Sequence, residues 1–124
     1  MTDHDKPAFL VVCGRANGKP MDPEYARRAT PVALSNGLKP IGGGELGVQV
    51  EVLEGSLPEG TNFMAIEQFP SMNALKAFYF SEAYQSAIPF RESVAEIHFI
   101  AALDGISDAE LKARAEAAAQ AAAD

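Results

Sequence analysis

The chain has 124 residues, of which ten are basic and seventeen acidic, giving a net charge of −7 at neutral pH. This length suits one domain with its own core, and the negative charge opposes nucleic-acid or anionic-membrane partners. No apolar run is long enough for a membrane span, and the polar, acidic start does not resemble a secretory signal. With Cys13 as the single cysteine, the sequence predicts a cytoplasmic protein without an internal disulfide.

The first half of the chain predicts two strands and a helix. Residues 8–13 are a short apolar run, typical of a strand buried on both faces. Asp22 can cap a helix that has proline at its first position, and Pro31 predicts a kink or break in it. Residues 48–54 alternate strictly and form the clearest predicted strand, which residues 38–41 precede as a bent edge segment.

The second half predicts a strand, two capped helical segments and a final strand. Residues 63–69 alternate with apolar side chains on both faces, so we expect a strand there. Ser71 and Ser81 can each cap a helical segment, and Pro89 is expected to disturb the end of the second one. Residues 94–103 alternate again and predict the last strand.

The resulting order, β-α-β-β-α-β, predicts a ferredoxin-like α+β subunit with an antiparallel sheet spanning residues 7–105. Helices cover only one side of such a sheet. Because the strands at 8–13 and 63–69 are apolar on both faces, we expect two sheets to pack together in a homodimer.

The two ends of the chain differ from this domain. Residues 1–6 predict a disordered tail. Ser107 and Glu110 have capping-box spacing and begin an alanine-rich C-terminal helix within residues 106–124. That helix has few large side chains, so it either builds a higher oligomer or remains a solvated, fraying tail.

Three features resemble cofactor, nucleophile or metal sites. The glycines at 42–44 and 47 match the spacing of a dinucleotide loop, with Glu67 about twenty residues on, but a strand rather than a helix is predicted to follow. We therefore expect no cofactor.

Cys13 lies in the most apolar strand, where a thiol acts as a small hydrophobe. Glu96 and His98 lack a further pair of ligands, so we expect no metal.

Glu67 is the carboxylate with the most unusual setting, because its neighbours on the predicted strand face are Phe63, Ala65 and Phe69. An acid among apolar groups finds a donor or has a raised pKa, and the second condition suits proton transfer. The alternative is that Glu67 points into a cavity mouth or forms a structural ion pair with Arg91.

Three stretches together resemble a known family of unknown function, DUF1330, within the dimeric α+β barrel superfamily. They are residues 51–55 (EVLEG), 66–72 (IEQFPSM) and 78–85 (FYFSEAYQ). The resemblance implies a barrel enclosed by two subunits, and recurrent polar positions at Glu67, Ser71, Tyr79, Ser81, Tyr84 and Arg91. This chain departs from the family pattern at Glu82 and Ala83, and at Ile41, where the family often has arginine.

The resemblance favours a small organic molecule, such as an anion, bound in the barrel cavity. As a cofactor-independent enzyme, the chain would use Arg91 to hold an anionic group, Glu67 to move a proton, and Tyr79 or Tyr84 to orient the substrate. The predicted ligand-binding residues are Ser71, Ser81, Tyr84, Tyr25 and His98. Two alternatives stay open: a non-catalytic metabolite-binding or stress-related module, and a polar cluster that only stabilises the assembly.

Overall fold

A four-stranded antiparallel sheet in the order β2-β3-β1-β4 organises the chain. The computed structural model describes residues 6–45 and 48–123, so the predicted tail at 1–6 lies outside it except for Lys6. The elements are β1 (Ala8–Ala16), α1 (Pro23–Ser35), β2 (Lys39–Gly43), β3 (Phe63–Phe69), α2 (Met72–Tyr79), α3 (Glu82–Glu92), β4 (Ala95–Asp104) and α4 (Asp108–Ala123). The predicted ferredoxin-like α+β order is confirmed, with its second helix divided into α2 and α3.

Side-chain caps fix where each helix begins. Each cap oxygen accepts a hydrogen bond from a backbone amide in the first turn and satisfies a group that the helix leaves free. The four bonds are Glu24 N to Asp22 at 2.9 Å, Ala74 N to Ser71 at 3.0 Å, Tyr84 N to Ser81 at 3.1 Å and Glu110 N to Ser107 at 3.0 Å. The four helix starts predicted from the sequence are confirmed.

Two prolines lie inside helices without ending them. α1 continues through Pro31 to Ser35, and α3 continues through Pro89 to Glu92, so the predicted break at Pro31 is absent and α3 runs on beyond Pro89. Each proline removes one backbone donor. Because α1 and α3 pack against each other, we attribute the continuity to that tertiary contact, which offsets the local cost of the missing hydrogen bonds.

The predicted strand at residues 48–54 is wrong. β2 is instead formed by the weaker edge segment, and it pairs with β3 from Lys39 opposite Gln68 to Gly43 opposite Ala65. β2 therefore already occupies this edge of β3, and residues 48–54 find no strand to pair with among the described residues. The valines of the alternating stretch, Val48, Val50 and Val52, remain 43–46% exposed.

The glycine run ends β2. Gly43 has a φ of 65°, and a Cβ there would lie 1.9 Å from the Met64 carbonyl oxygen, so only glycine fits. No helix follows within residues 48–62; Leu46 and Gly47 lie outside the described residues. Strand geometry accounts for these glycines.

The core lies on the face of the sheet that α1, α2 and α3 cover, here called the inner face. Leu10 of β1 and Phe69 of β3 are buried there against Leu75, Phe78 and Tyr84 of the helices. Burying each large apolar side chain contributes about 1.5–3 kcal/mol. This face carries the packing that holds the subunit together.

The opposite face, here called the outer face, is formed by alternate residues of β1 and their strand partners. Phe9, Val11 and Cys13 point away from the inner face because side chains alternate along a strand. The strand register places five apolar residues beside them: Met64, Ile66, Phe99, Ala101 and Leu103. Ile66, Phe99 and Leu103 are 39%, 40% and 60% exposed. No helix of the described chain packs on this face.

α4 extends beyond the sheet, and none of its residues is buried. The Ser107 hydroxyl accepts from Glu110 N at 3.0 Å and donates to Glu110 Oε1 at 3.3 Å, so the first of the two bonds of the predicted capping box is formed. Across the described ranges, no helix combines the length and the apolar character needed to cross a membrane.

Candidate functional site

A cavity of about 390 Å³ opens between the inner face of the sheet and the helices. Its walls are largely apolar and include Leu10, Val12, Phe63, Ala65, Ile97 and Ile100. Five polar side chains contribute to the lining: Tyr25, Glu67, Tyr84 and Arg91 enter from three elements, and Glu45 lies at the rim. A predominantly apolar cleft with a few converging polar groups is typical of small-molecule sites.

The alternation of β3 puts Glu67 into this cavity. Glu67 lies between Leu10 of β1 and Pro40 of β2 in the sheet. Phe69, two residues on, is fully buried on the same face, whereas Phe63 and Ala65 line the cavity. The carboxyl group therefore lies at the boundary between the packed core and the cavity.

Burial raises the pKa of the Glu67 carboxyl above its ordinary value of 4.5. The cause is desolvation, since removing water disfavours the charged form. Among the described residues, no side chain donates a hydrogen bond to this carboxyl group. A carboxyl group with a raised pKa beside a cavity can exchange protons with a bound molecule.

Arg91 enters the cavity from the last turn of α3. Its Nη1 donates a hydrogen bond of 2.8 Å to the Tyr84 hydroxyl, whereas its buried Nε has no hydrogen-bond partner. The ion pairs within the described ranges involve other residues, so the alternative of a structural Glu67–Arg91 bridge is not what the structure forms. Arg91 thus lines the cavity with a guanidinium group, one donor of which nothing in the described protein satisfies.

Tyr25 and Tyr84 form a hydroxyl pair at the cavity wall. Their oxygens lie 3.2 Å apart, and their rings meet edge to face at 6.2 Å between centroids. Burial, followed by the neighbouring Tyr84 hydroxyl, raises the pKa of Tyr25. Tyr25 consequently stays protonated and can donate a hydrogen bond.

The structure brings Tyr25, Glu67, Tyr84 and Arg91 together but leaves four predicted site residues elsewhere. Tyr79 packs its ring 5.4 Å from that of Tyr84 but lines a separate groove of about 190 Å³. Ser71 and Ser81 are outside the cavity lining, and their hydroxyls cap α2 and α3. Helix capping alone explains why these serines are present.

His98 lies outside the cavity lining too. In the pairing of β1 with β4, Cys13 lies opposite Phe99 and Gly14 opposite Ile97, so His98 is left without a partner residue on β1. Its Nδ1 lies 3.0 Å from the Thr61 hydroxyl, which in turn is 3.6 Å from the Cys13 sulfur. Within residues 6–45 and 48–123, no cluster of three possible metal ligands includes His98 or Glu96.

The location of the cavity differs from the sequence prediction. The expected site lay in the barrel between two packed sheets, whereas the four converging residues lie within one subunit, on the helix-covered face. Sequence reasoning also missed the cavity rim, which Gly42, Gly43, Gly44 and Glu45 supply at the end of β2. The glycine run was the available signal, because side chains there would narrow the opening.

The fold and the three stretches of sequence identify the family. Residues 8–105 match the domain of unknown function DUF1330, and the chain belongs to that family. No curated protein matches the sequence significantly.

Two solved structures of low sequence identity, both of one protein, share the fold. A protein of unknown function from Rhodopseudomonas palustris is 20% identical, with 80% of this chain and 82% of that one covered and a TM-score of 0.57. Its methylated form gives 18% identity, 84% coverage of each chain and a TM-score of 0.58. A dimeric ferredoxin-like protein of unknown function from Bacteroides fragilis gives 12% identity, 79% and 93% coverage, and a TM-score of 0.43.

Proposed function

We propose that this protein binds a small organic anion in the cavity between its sheet and helices. The observation that carries the proposal is the state of Arg91, whose Nε is buried without a partner while its Nη1 is held by Tyr84. A buried donor on a cation is costly unless an acceptor joins it. A ligand carboxylate would satisfy that donor.

The rest of the cavity supports a ligand with an apolar body. Aliphatic and aromatic side chains from β1, β3 and β4 line it, and its volume of about 390 Å³ suits a molecule the size of a monocyclic aromatic acid. Because the whole chain carries a net charge of −7, attraction for an anion has to come from the local field of Arg91 rather than from the protein surface.

Glu67 supplies a proton-transfer group to the same space, which supports an enzyme that needs no cofactor. Its raised pKa makes the carboxyl group both a weaker acid and a better base than usual. Binding without turnover is the alternative, and proton exchange between solvent and a bound carbon acid would separate the two.

Calorimetric titration with 3-phenylpropanoate and its neutral analogue 3-phenylpropanamide tests the proposal. We expect the acid to bind roughly 10–100-fold more tightly than the amide, on the scale of a charged hydrogen bond. Arg91→Met should abolish that preference. Arg27→Met is the matched control, because the Arg27 side chain is 71% exposed and pairs with Glu24 at the surface. Equal affinity of wild type for acid and amide, or no binding of either, would refute the proposal.

A further inference from the structure

We propose that Tyr25 donates a hydrogen bond into the cavity and that the ligand is an oxo acid, with a carbonyl oxygen close to its carboxylate. This inference rests on the proposed function and names the chemical class of the ligand. It follows from the direction of a hydrogen-bond chain that runs from Arg91 through Tyr84 to Tyr25.

Arg91 is the first donor of this hydrogen-bond chain. A guanidinium group has donors only, so the Tyr84 oxygen must be the acceptor in the 2.8 Å bond from Arg91 Nη1. The Tyr84 hydroxyl hydrogen then needs an acceptor of its own. Among the described residues the Tyr25 oxygen, 3.2 Å away, is the partner in reach. A hydroxyl that accepts from a cation is also a stronger donor, which favours this direction.

The hydroxyl hydrogen of Tyr25 is available for a further hydrogen bond. Its oxygen accepts from Tyr84, and no described residue accepts from Tyr25 in return. Tyr25 lines the cavity, so its hydrogen can point at a bound molecule. Burial, which raises the pKa of the phenol, keeps this donor in place at neutral pH and above.

Two sets of donors therefore lie close together in the cavity. Arg91 lines the cavity, its Nε has no partner in the described protein, and Nε with Nη2 is the edge that a guanidinium group uses for bidentate contact with a carboxylate. Only two hydrogen bonds, of 2.8 and 3.2 Å, separate Arg91 from Tyr25. A ligand that meets both groups needs a second acceptor near its carboxylate, and 2-oxo and 3-oxo acids provide one on the first or second carbon beyond it.

A pair of probes that differ by one oxygen tests this inference. Phenylpyruvate and 3-phenylpropanoate have the same ring and carboxylate, and only the first carries a keto oxygen at carbon 2. We expect wild-type protein to bind phenylpyruvate roughly 3–10-fold more tightly in calorimetry, the scale of one neutral hydrogen bond. Tyr25→Phe should remove that preference.

The outcomes separate this inference from the proposed function. If neither acid binds, the proposed function fails. If both acids bind wild type equally, the oxo-acid inference fails while the anion site stands. A preference for phenylpyruvate that survives in Tyr25→Phe also overturns the inference, because another group would then hold the keto oxygen. Should Tyr25→Phe not fold, Tyr84→Phe, which interrupts the chain, is expected to reduce the preference, and an unchanged preference there overturns the inference.

Discussion

Arg91 lies two helical turns beyond Tyr84 on α3, and its Nη1 donates a 2.8 Å hydrogen bond to the Tyr84 hydroxyl. Residues seven apart on a helix share one face, so the helix itself brings the cation and the phenol to the same wall. The position of Arg91 near the C-terminal end of α3 is also favourable to a positive charge. The orientation of Arg91 is therefore set within α3 and does not depend on Glu67.

Because Arg91 does not rely on Glu67, we expect Glu67→Gln to leave the fold stable. At neutral pH the variant should gain roughly 0.5–2 kcal/mol, the usual range for a stabilising substitution. A structural ion pair would instead make the change cost about 3–5 kcal/mol. Chemical denaturation of both proteins measures the difference. Glu59→Gln, at an exposed position, controls for the loss of one negative charge.

The gain from Glu67→Gln should depend on pH in a defined direction. The folded state raises the pKa of this carboxyl above 4.5, so above that pH the folded protein holds more protons than the unfolded chain. Wild-type stability then falls as pH rises through the folded pKa. We expect the variant's advantage to be smallest at pH 4 and to grow toward neutral pH. An advantage that shrinks with rising pH would contradict the assignment.

Tyr84 and Tyr79 offer a comparison between two tyrosines of neighbouring helices. Tyr84→Phe should destabilise the protein by about 1–3 kcal/mol, because it leaves the Arg91 Nη1 donor without its partner. Tyr79→Phe should cost less than about 0.5 kcal/mol, since no hydrogen bond to the Tyr79 hydroxyl is present among the described residues. Urea unfolding of the two variants gives the comparison. Equal losses would mean that the hydrogen-bond chain does not stabilise the helices.

Local sequence signals predicted the fold well where a single residue determines the outcome. Asp22, Ser71, Ser81 and Ser107 cap helices as expected, because a cap needs only a side chain and the amides that follow it. The alternation at residues 48–54 misled for the opposite reason. A strand needs a partner with free backbone groups, and which segment occupies the edge of β3 is decided by the tertiary structure.

The candidate site was predictable in part. Apolar neighbours on β3 identified Glu67, and the family resemblance identified Tyr84 and Arg91. The sequence did not show which polar residues line the cavity and which cap helices. Ser71 and Ser81 fit a helix cap and a recurrent polar position of the family equally well. Nor does the sequence tell which face of the sheet holds the open space. That depends on how closely α1 and α3 approach the sheet, which is a packing outcome.

The outer face of the sheet leads us to expect a homodimer. Ile66 and Phe99 lie on this face and are 39% and 40% exposed, and an apolar surface of this kind is typical of an interface. Wild-type protein should sediment as a dimer at micromolar concentration. Phe99→Lys should shift it toward monomer, whereas Leu34→Lys, at an exposed leucine on α1, should not. A wild-type protein that sediments as a stable monomer would refute this expectation.

The C-terminal helix α4 should be dispensable for folding of the domain. None of its residues is buried, and Leu111, its one large apolar side chain, is 57% exposed. High intrinsic helix propensity and the Ser107 cap maintain the helix, but they add little to the stability of the sheet. Removing residues 107–124 should therefore lower the free energy of unfolding by about 1 kcal/mol or less, measured by thermal and urea unfolding. Sedimentation of the shortened protein tests the separate expectation that α4 joins subunits, because only then would the assembly become smaller while the domain stays folded. Loss of the cooperative unfolding transition after this truncation would instead make α4 part of the core.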